Sequence, residues 1–175
     1  AWTEDTQGDE RFTLWLKALP NGTPRQLLSD IGPSLCWAED QNADGATLLF
    51  TRFDDTQRPD SLWRLWVAFA EHAPMQTPTL VLREADPEFW VGVGKTRSKA
   101  WLIIESGSKD TTEVLALPAD QPETPLVCLH AREPGVEVSI DHRPGVFYRL
   151  HNQTGPHFQL DMRAESDNAS CQSLI

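Results

Sequence analysis

The stretch Phe89 to Val114, FWVGVGKTRSKAWLIIESGSKDTTEV, decides the fold. Phe89 to Val93 is apolar and β-prone, Gly94 to Lys99 is a run of turn formers and charges, and Ala100 to Ile104 is a second apolar run. Gly107 to Asp110 marks another turn, and Thr112 to Leu117 reads as a half-buried strand. With Pro125 to Leu129 as a fourth run, the stretch is an antiparallel four-stranded meander, the unit of a propeller blade.

Working outward, the unit repeats. The apolar pairs Leu14/Leu16, Leu65/Val67, Leu115/Leu117 and Leu160/Met162 are separated by 51, 50 and 45 residues. Leu48-Leu49-Phe50, Leu102-Ile103-Ile104 and Val146-Phe147-Tyr148 precede three of these pairs, and Leu27-Leu28, Leu80-Val81-Leu82, Leu126-Val127 and Leu174-Ile175 follow as edge strands. Gly32-Pro33, Asp86-Pro87 and Pro134-Gly135 punctuate the units. The expected organisation is all-β: one fragment of a β-propeller, with a partial blade over 1–28 and blades over 34–82, 89–129 and 136–175. That amounts to about three and a half four-stranded antiparallel blades. A partial ring leaves its terminal blades without neighbours, so self-association through them is expected.

The chain has 175 residues, 26 acidic and 15 basic, for a formal charge of −11. A surface of that sign repels phosphate backbones and anionic lipid, which argues against nucleic-acid and membrane partners and would draw basic peptides, although plain solubility is the first reading of the composition. No run approaches the roughly 20 apolar residues of a membrane span, and the first residues lack the pattern of a secretory signal. Cys36, Cys128 and Cys171 are odd in number and widely spaced, which suggests reduced, buried thiols in a cytoplasmic protein, with a periplasmic location left open for a longer parent chain.

Motifs for chemistry fail one by one. Gly94-Lys95-Thr96 ends like a phosphate loop, but the pattern requires glycine where Phe89 stands and a helix where a strand follows. Ser106-Gly107-Ser108-Lys109 does not match a G-x-S-x-G elbow. Asp54-Asp55 fits a turn held by Asx bonding better than a catalytic carboxylate pair, and Asp141-His142 fits a structural hydrogen bond. His72, His130, His142, His151 and His157 form no metal-ligand spacing, so neither metal nor cofactor is expected. Asn21, Asn152 and Asn168 open glycosylation triplets that chance and turn chemistry explain. Trp15, Trp37, Trp63, Trp66, Trp90 and Trp101 lie on strands, where they are expected to fill the space between facing sheets.

GVGKTRSKAWLIIESGSKDTTEV, with AWTEDTQGDERFTLWLKAL upstream and SIDHRPGVFYRLHNQTGPHFQL downstream, resembles the propeller of oligopeptidase B-like members of the prolyl oligopeptidase family of serine peptidases. The resemblance implies a seven-bladed ring that caps an active site and admits only short peptides. It also implies cleavage after Arg or Lys by a Ser, Asp and His system on a hydrolase domain of the same parent chain, which this sequence does not reach. No catalytic residue is therefore assigned here. Leu49-Phe50-Thr51-Arg52 is similar to the family strand that carries an aromatic towards bound peptide, although Thr51 stands where the family has Tyr. Phe50 and, more weakly, Arg52 are thus substrate-gate candidates, although ordinary core is the first reading of Phe50. A free-standing propeller-like binding module is the other functional reading.

Overall fold

The computed structural model describes residues 1–70, 73–166 and 171–174. These contain fifteen strands, β1 to β15, and no helix, so no helix is long and apolar enough to cross a membrane. The first sheet has three strands in the order β1 (Trp2–Glu4), β2 (Phe12–Leu16), β3 (Arg25–Ile31). The second is β4 (Leu35–Trp37), β5 (Gly45–Phe53), β6 (Pro59–Ala68), β7 (Thr79–Arg83). The third is β8 (Trp90–Lys95), β9 (Trp101–Gly107), β10 (Thr112–Pro118), β11 (Val127–His130). The fourth is β12 (Val138–Arg143), β13 (Val146–His151), β14 (Gln159–Ala164), β15 (Gln172–Ser173). Every pairing is antiparallel between chain neighbours, as a meander requires.

The sheets stack face to face through three separate cores. Leu14, Leu28 and Ile31 of the first sheet meet Leu48, Phe50 and Leu65 of the second. Leu49 and Leu62, from the opposite face of that second sheet, meet Val91, Leu102 and Ile104 of the third. Ile103, Val114 and Ala116 on the far side of the third then meet Val138, Ile140 and Phe147 of the fourth. Successive residues of one strand serve two interfaces, which is why Leu48-Leu49-Phe50 and Leu102-Ile103-Ile104 are unbroken apolar runs.

Several local expectations are corrected. β3 runs on to Ile31, and β8 carries Gly94 and Lys95 in the ladder, so the turn that follows begins at Thr96. The last edge strand pairs through Gln172 and Ser173, with the Leu174 amide donating to the Leu160 carbonyl at 2.8 Å; Ile175 lies outside the described residues. The cysteines are free, but Cys128 and Cys171 are exposed and Cys36 is half-buried. Cys128 sits on β11, the outermost strand of its sheet, where there is little to cover it. No tryptophan joins the fully buried core: Trp37 and Trp63 pack at the margin of the first interface, Trp101 at that of the third, and Trp90 is 49% exposed. The three cores are filled by Leu, Ile, Val and Ala with Phe50 and Phe147, leaving the indoles at the rims.

The crossing from the first sheet to the second is tight. The Gly32 amide donates to the Thr51 carbonyl at 2.7 Å, and a Cβ on Gly32 would clash with Thr51 Oγ1. Gly32→Ala is therefore expected to cost about 1–3 kcal/mol by overpacking. Ile104→Ala, at a fully buried position, should cost about 2–5 kcal/mol. Urea unfolding should show both as lowered midpoints with unchanged slope.

Candidate functional site

Two arginines fasten the link between the second and third sheets. Arg58, in the turn after β5, donates through its Nε to Asp54 Oδ2 at 2.9 Å. Its other nitrogens reach the backbone carbonyls of Asp86 at 2.6 Å, Phe89 at 2.7 Å and Glu84 at 3.3 Å. Asp54 Oδ1 accepts from the Thr56 hydroxyl and from the amides of Thr56 and Arg58, and this bonding holds its carboxyl well below the usual range. Arg132 approaches the same link from the outer edge of the third sheet. It pairs with Glu84, Glu113 and Asp86, and its guanidinium carbon lies 3.5 Å from the centroid of the buried Phe89 ring.

The inner strands of the third and fourth sheets, β8 and β12, border a cleft of about 500 Å³ whose lining includes Gly92, Gly94, Lys95, Glu105, Ser139 and Asp141. A second hollow of about 340 Å³ shares Gly92, Glu105 and Ser139 with it and adds Trp90 and Gly107. The alternation Trp90-x-Gly92-x-Gly94 opens this space. Val91 and Val93 turn to the second sheet, while on the opposite face Gly92 and Gly94, following Trp90, carry hydrogen where side chains would stand. A Cβ on Gly94 would meet nothing within 4 Å. Glu105, paired across the ladder with Gly92, reaches solvent, yet the cleft walls strip water from its carboxyl and push its pKa up. Lys95 is ion-paired with Glu39, and Asp141 Oδ1 accepts the amides of Arg97 at 2.9 Å and His142 at 2.8 Å.

Phe50 is 0% exposed, within the core between the first two sheets. Arg52 is half-buried, its guanidinium carbon 5.6 Å from the Phe50 ring centroid and 4.8 Å from that of Trp63. The two are thus adjacent, but the cleft lies elsewhere. Sequence reasoning placed Trp90 among the core-filling tryptophans and passed over Glu105; the glycine alternation that follows Trp90 was the available signal.

Two side-chain alignments have the composition of catalytic machinery. Ser98 Oγ lies 2.8 Å from His142 Nδ1, and His142 Nε2 lies 3.4 Å from Glu165. Ser98 Oγ is also 2.9 Å from Thr96 Oγ1 and accepts the Ala100 amide at 3.1 Å, so it is engaged on three sides and not free to attack. With the Ser98 amide donating to the His142 carbonyl at 3.2 Å, the arrangement clips the β8–β9 turn onto β12. His151 Nδ1 accepts the Gln153 amide at 3.2 Å, which leaves Nε2 to carry the proton and donate to Asp161 at 2.9 Å. Arg149, 2.7 Å from Asp161, holds that carboxyl below its usual range. This cluster ties β13 to β14. Ser106 donates to Glu84. His157 is exposed, whereas His72 and Asn168 lie outside the described residues. Among the described residues, no three His, Cys, Asp or Glu side chains are arranged to hold a metal ion.

Four antiparallel sheets stacked in chain order, with inner strands bordering a cleft, define a partial β-propeller. The chain belongs to the prolyl oligopeptidase family: residues 1–173 match the model of its N-terminal β-propeller domain. It is 28% identical over 166 residues to Protease 2 of Moraxella lacunata, covering 91% of this chain and 22% of that protein. It is 31% identical over 147 residues to dipeptidyl aminopeptidase BI of Pseudoxanthomonas mexicana, covering 81% and 19%. Oligopeptidase B from Leishmania major superposes with a TM-score of 0.80 at 22% identity, over 98% of this chain and 24% of that one. Oligopeptidase B from Trypanosoma brucei, with covalently bound antipain, gives 0.77 at 21% identity, over 96% and 23%. The chain therefore spans about a fifth to a quarter of the length of these relatives.

Arg132 gives a direct test of the fastening. Arg132→Met is expected to cost about 1–3 kcal/mol, because it leaves the largely buried Glu84 without its cation. Arg132→Lys should recover less than half of that, since an ammonium cannot fork between carboxylates while stacking on Phe89. Desolvation raises the Glu84 pKa, but hydrogen bonds from Ser106, the Asp86 amide and Arg132 outweigh it and leave the pKa lowered from 4.5. A depressed carboxylate contributes its stability above the unfolded value and loses it as pH falls through the folded one. Unfolding free energies followed downward from about pH 5 should accordingly fall less steeply in Arg132→Met than in the native chain.

Proposed function

We propose that this chain is a non-catalytic part of the propeller of a cytoplasmic serine oligopeptidase that cleaves short peptides after Arg or Lys. The observation that carries the reading is the family match over residues 1–173. The hydroxyl–imidazole pair within the chain is committed to fastening sheets, so bond-breaking is left to a hydrolase domain of the same longer chain. Sheets locked on both faces form a stiff wall, and a stiff wall around a narrow channel passes a single extended segment while refusing a folded body. The excess of 26 acidic over 15 basic residues favours collection of cationic peptides. Arg52, which retains some surface, is the gate candidate that can touch a peptide, with Phe50 supporting it from the core. Further blades of the longer protein cover the outer faces of the first and fourth sheets, where Trp2 is 38% and Leu150 43% exposed.

The test is a length and sequence series on the enzyme expressed from its complete gene. Short peptides with Arg or Lys before the scissile bond should exceed both norleucine analogues and the same site in a folded protein by at least about 100-fold in kcat/KM, or ~2.7 kcal/mol. The 175-residue chain alone should be inert towards Arg and Lys esters. Equal cleavage of folded proteins and short peptides would overturn the size filter, and indifference to Arg and Lys would overturn the specificity.

A further inference from the structure

We propose that the hollow between β8 and β12 is a binding site for a cationic peptide side chain, a guanidinium above all, with Trp90 as its stacking face and Glu105 as its counter-ion. The inference rests on the functional reading above only for the source of the ligand, an arginine-containing peptide on its way to the active site.

Among the described residues, Glu105 is a carboxylate without a partner. Glu84 and Glu113 are bound to Arg132, Glu39 to Lys95, and one oxygen of Asp141 holds two amides. Glu105 has no such arrangement: desolvation alone perturbs it, and Arg97, the remaining cation of the lining, makes no ion pair with it. An unpaired charge held against protein walls gains most from an incoming opposite charge, because water there screens it less.

Trp90 supplies the second element. It stands on an inner strand, 49% exposed, and it lines the same hollow as Glu105. The ladder pairs Trp90 with Gly107 and Gly92 with Glu105, so the two side chains are diagonal cross-strand neighbours, about 7–8 Å apart at their Cα atoms. A planar cation that stacks on an indole while donating to a carboxylate fits that separation. The third element is room. Gly92 and Gly107 put no side chain between the indole and the carboxylate, and the space of about 340 Å³ accommodates an arginine side chain.

Titration calorimetry of the 175-residue chain with acetyl-Ala-Arg-Ala-amide tests the site, with the citrulline peptide as the uncharged isostere. The arginine peptide should bind at least about tenfold more tightly than the citrulline peptide, and the difference should shrink as salt is raised. Glu105→Gln should abolish that discrimination, and Trp90→Leu should weaken binding of the arginine peptide by about threefold or more. Gly92→Val, which fills the hollow directly across the ladder from Glu105, should also weaken it; unchanged thermal melting of at least one variant secures the comparison. Equal binding of the two peptides, or full discrimination in Glu105→Gln, overturns the proposal. The specificity of the full-length enzyme is read separately. If it ignores arginine while the chain still discriminates against citrulline, the functional reading fails and the site stands. If it cleaves after arginine while the chain binds both peptides alike, the site fails alone.

Discussion

The architecture depends on sheets that are apolar on both faces. A strand such as β5 turns Leu48 and Phe50 towards one neighbour and Leu49 towards the other, and β9 does the same with Leu102, Ile104 and Ile103. Neither face can be left in water without forfeiting roughly 1.5–3 kcal/mol per large side chain. Each interior sheet is therefore stable only as part of a stack, and stability is shared between adjacent interfaces rather than held within one sheet. The same requirement fixes register, since a slip of one residue would exchange the two faces and disturb both cores at once.

Apolar contact holds sheets together but does not say where along their length they should meet. The polar fastenings do. Arg58 reads three carbonyls of the link between the second and third sheets, and Arg132 clasps the acids that flank it. The Ser98–His142 clip and the bond from the Arg97 amide to Asp141 perform that service between the third and fourth. Because β8 begins directly after the arginine-bound link, its backbone inherits a fixed starting point, with Trp90 as its first residue. The cleft owes its shape to these bonds as much as to the glycines that hollow it.

The fold was legible in the sequence because two-sided burial writes itself as apolar triplets at a spacing of about fifty residues, separated by Gly and Pro. What burial does to individual residues was less so. Phe50 reads as core with a substrate contact close behind, because a strand sequence alternates faces without saying which face meets what. Cys128 and Trp90 resemble interior residues by type, but one lies on an outermost strand and the other beside glycines that leave it uncovered. Arg132 gives no local sign of its role, since its partners Glu84, Asp86 and Glu113 come from other elements of the chain.

Reactive residue types are therefore poor guides to function until the occupancy of each atom is known. Ser98, His142 and Glu165 stand in a hydrolytic order, yet the Ser98 hydroxyl is already engaged by Thr96, His142 and the Ala100 amide. Charge obeys the same rule. Exposed acids are screened by salt within about 8 Å, so most of an excess of eleven negative charges makes only a diffuse field. A carboxylate such as Glu105, partly walled in and without a partner, keeps a local field that a passing cation would feel. Selectivity for cations at the face of a propeller comes from groups of this kind, whose electrostatic demand is left unmet within the fold.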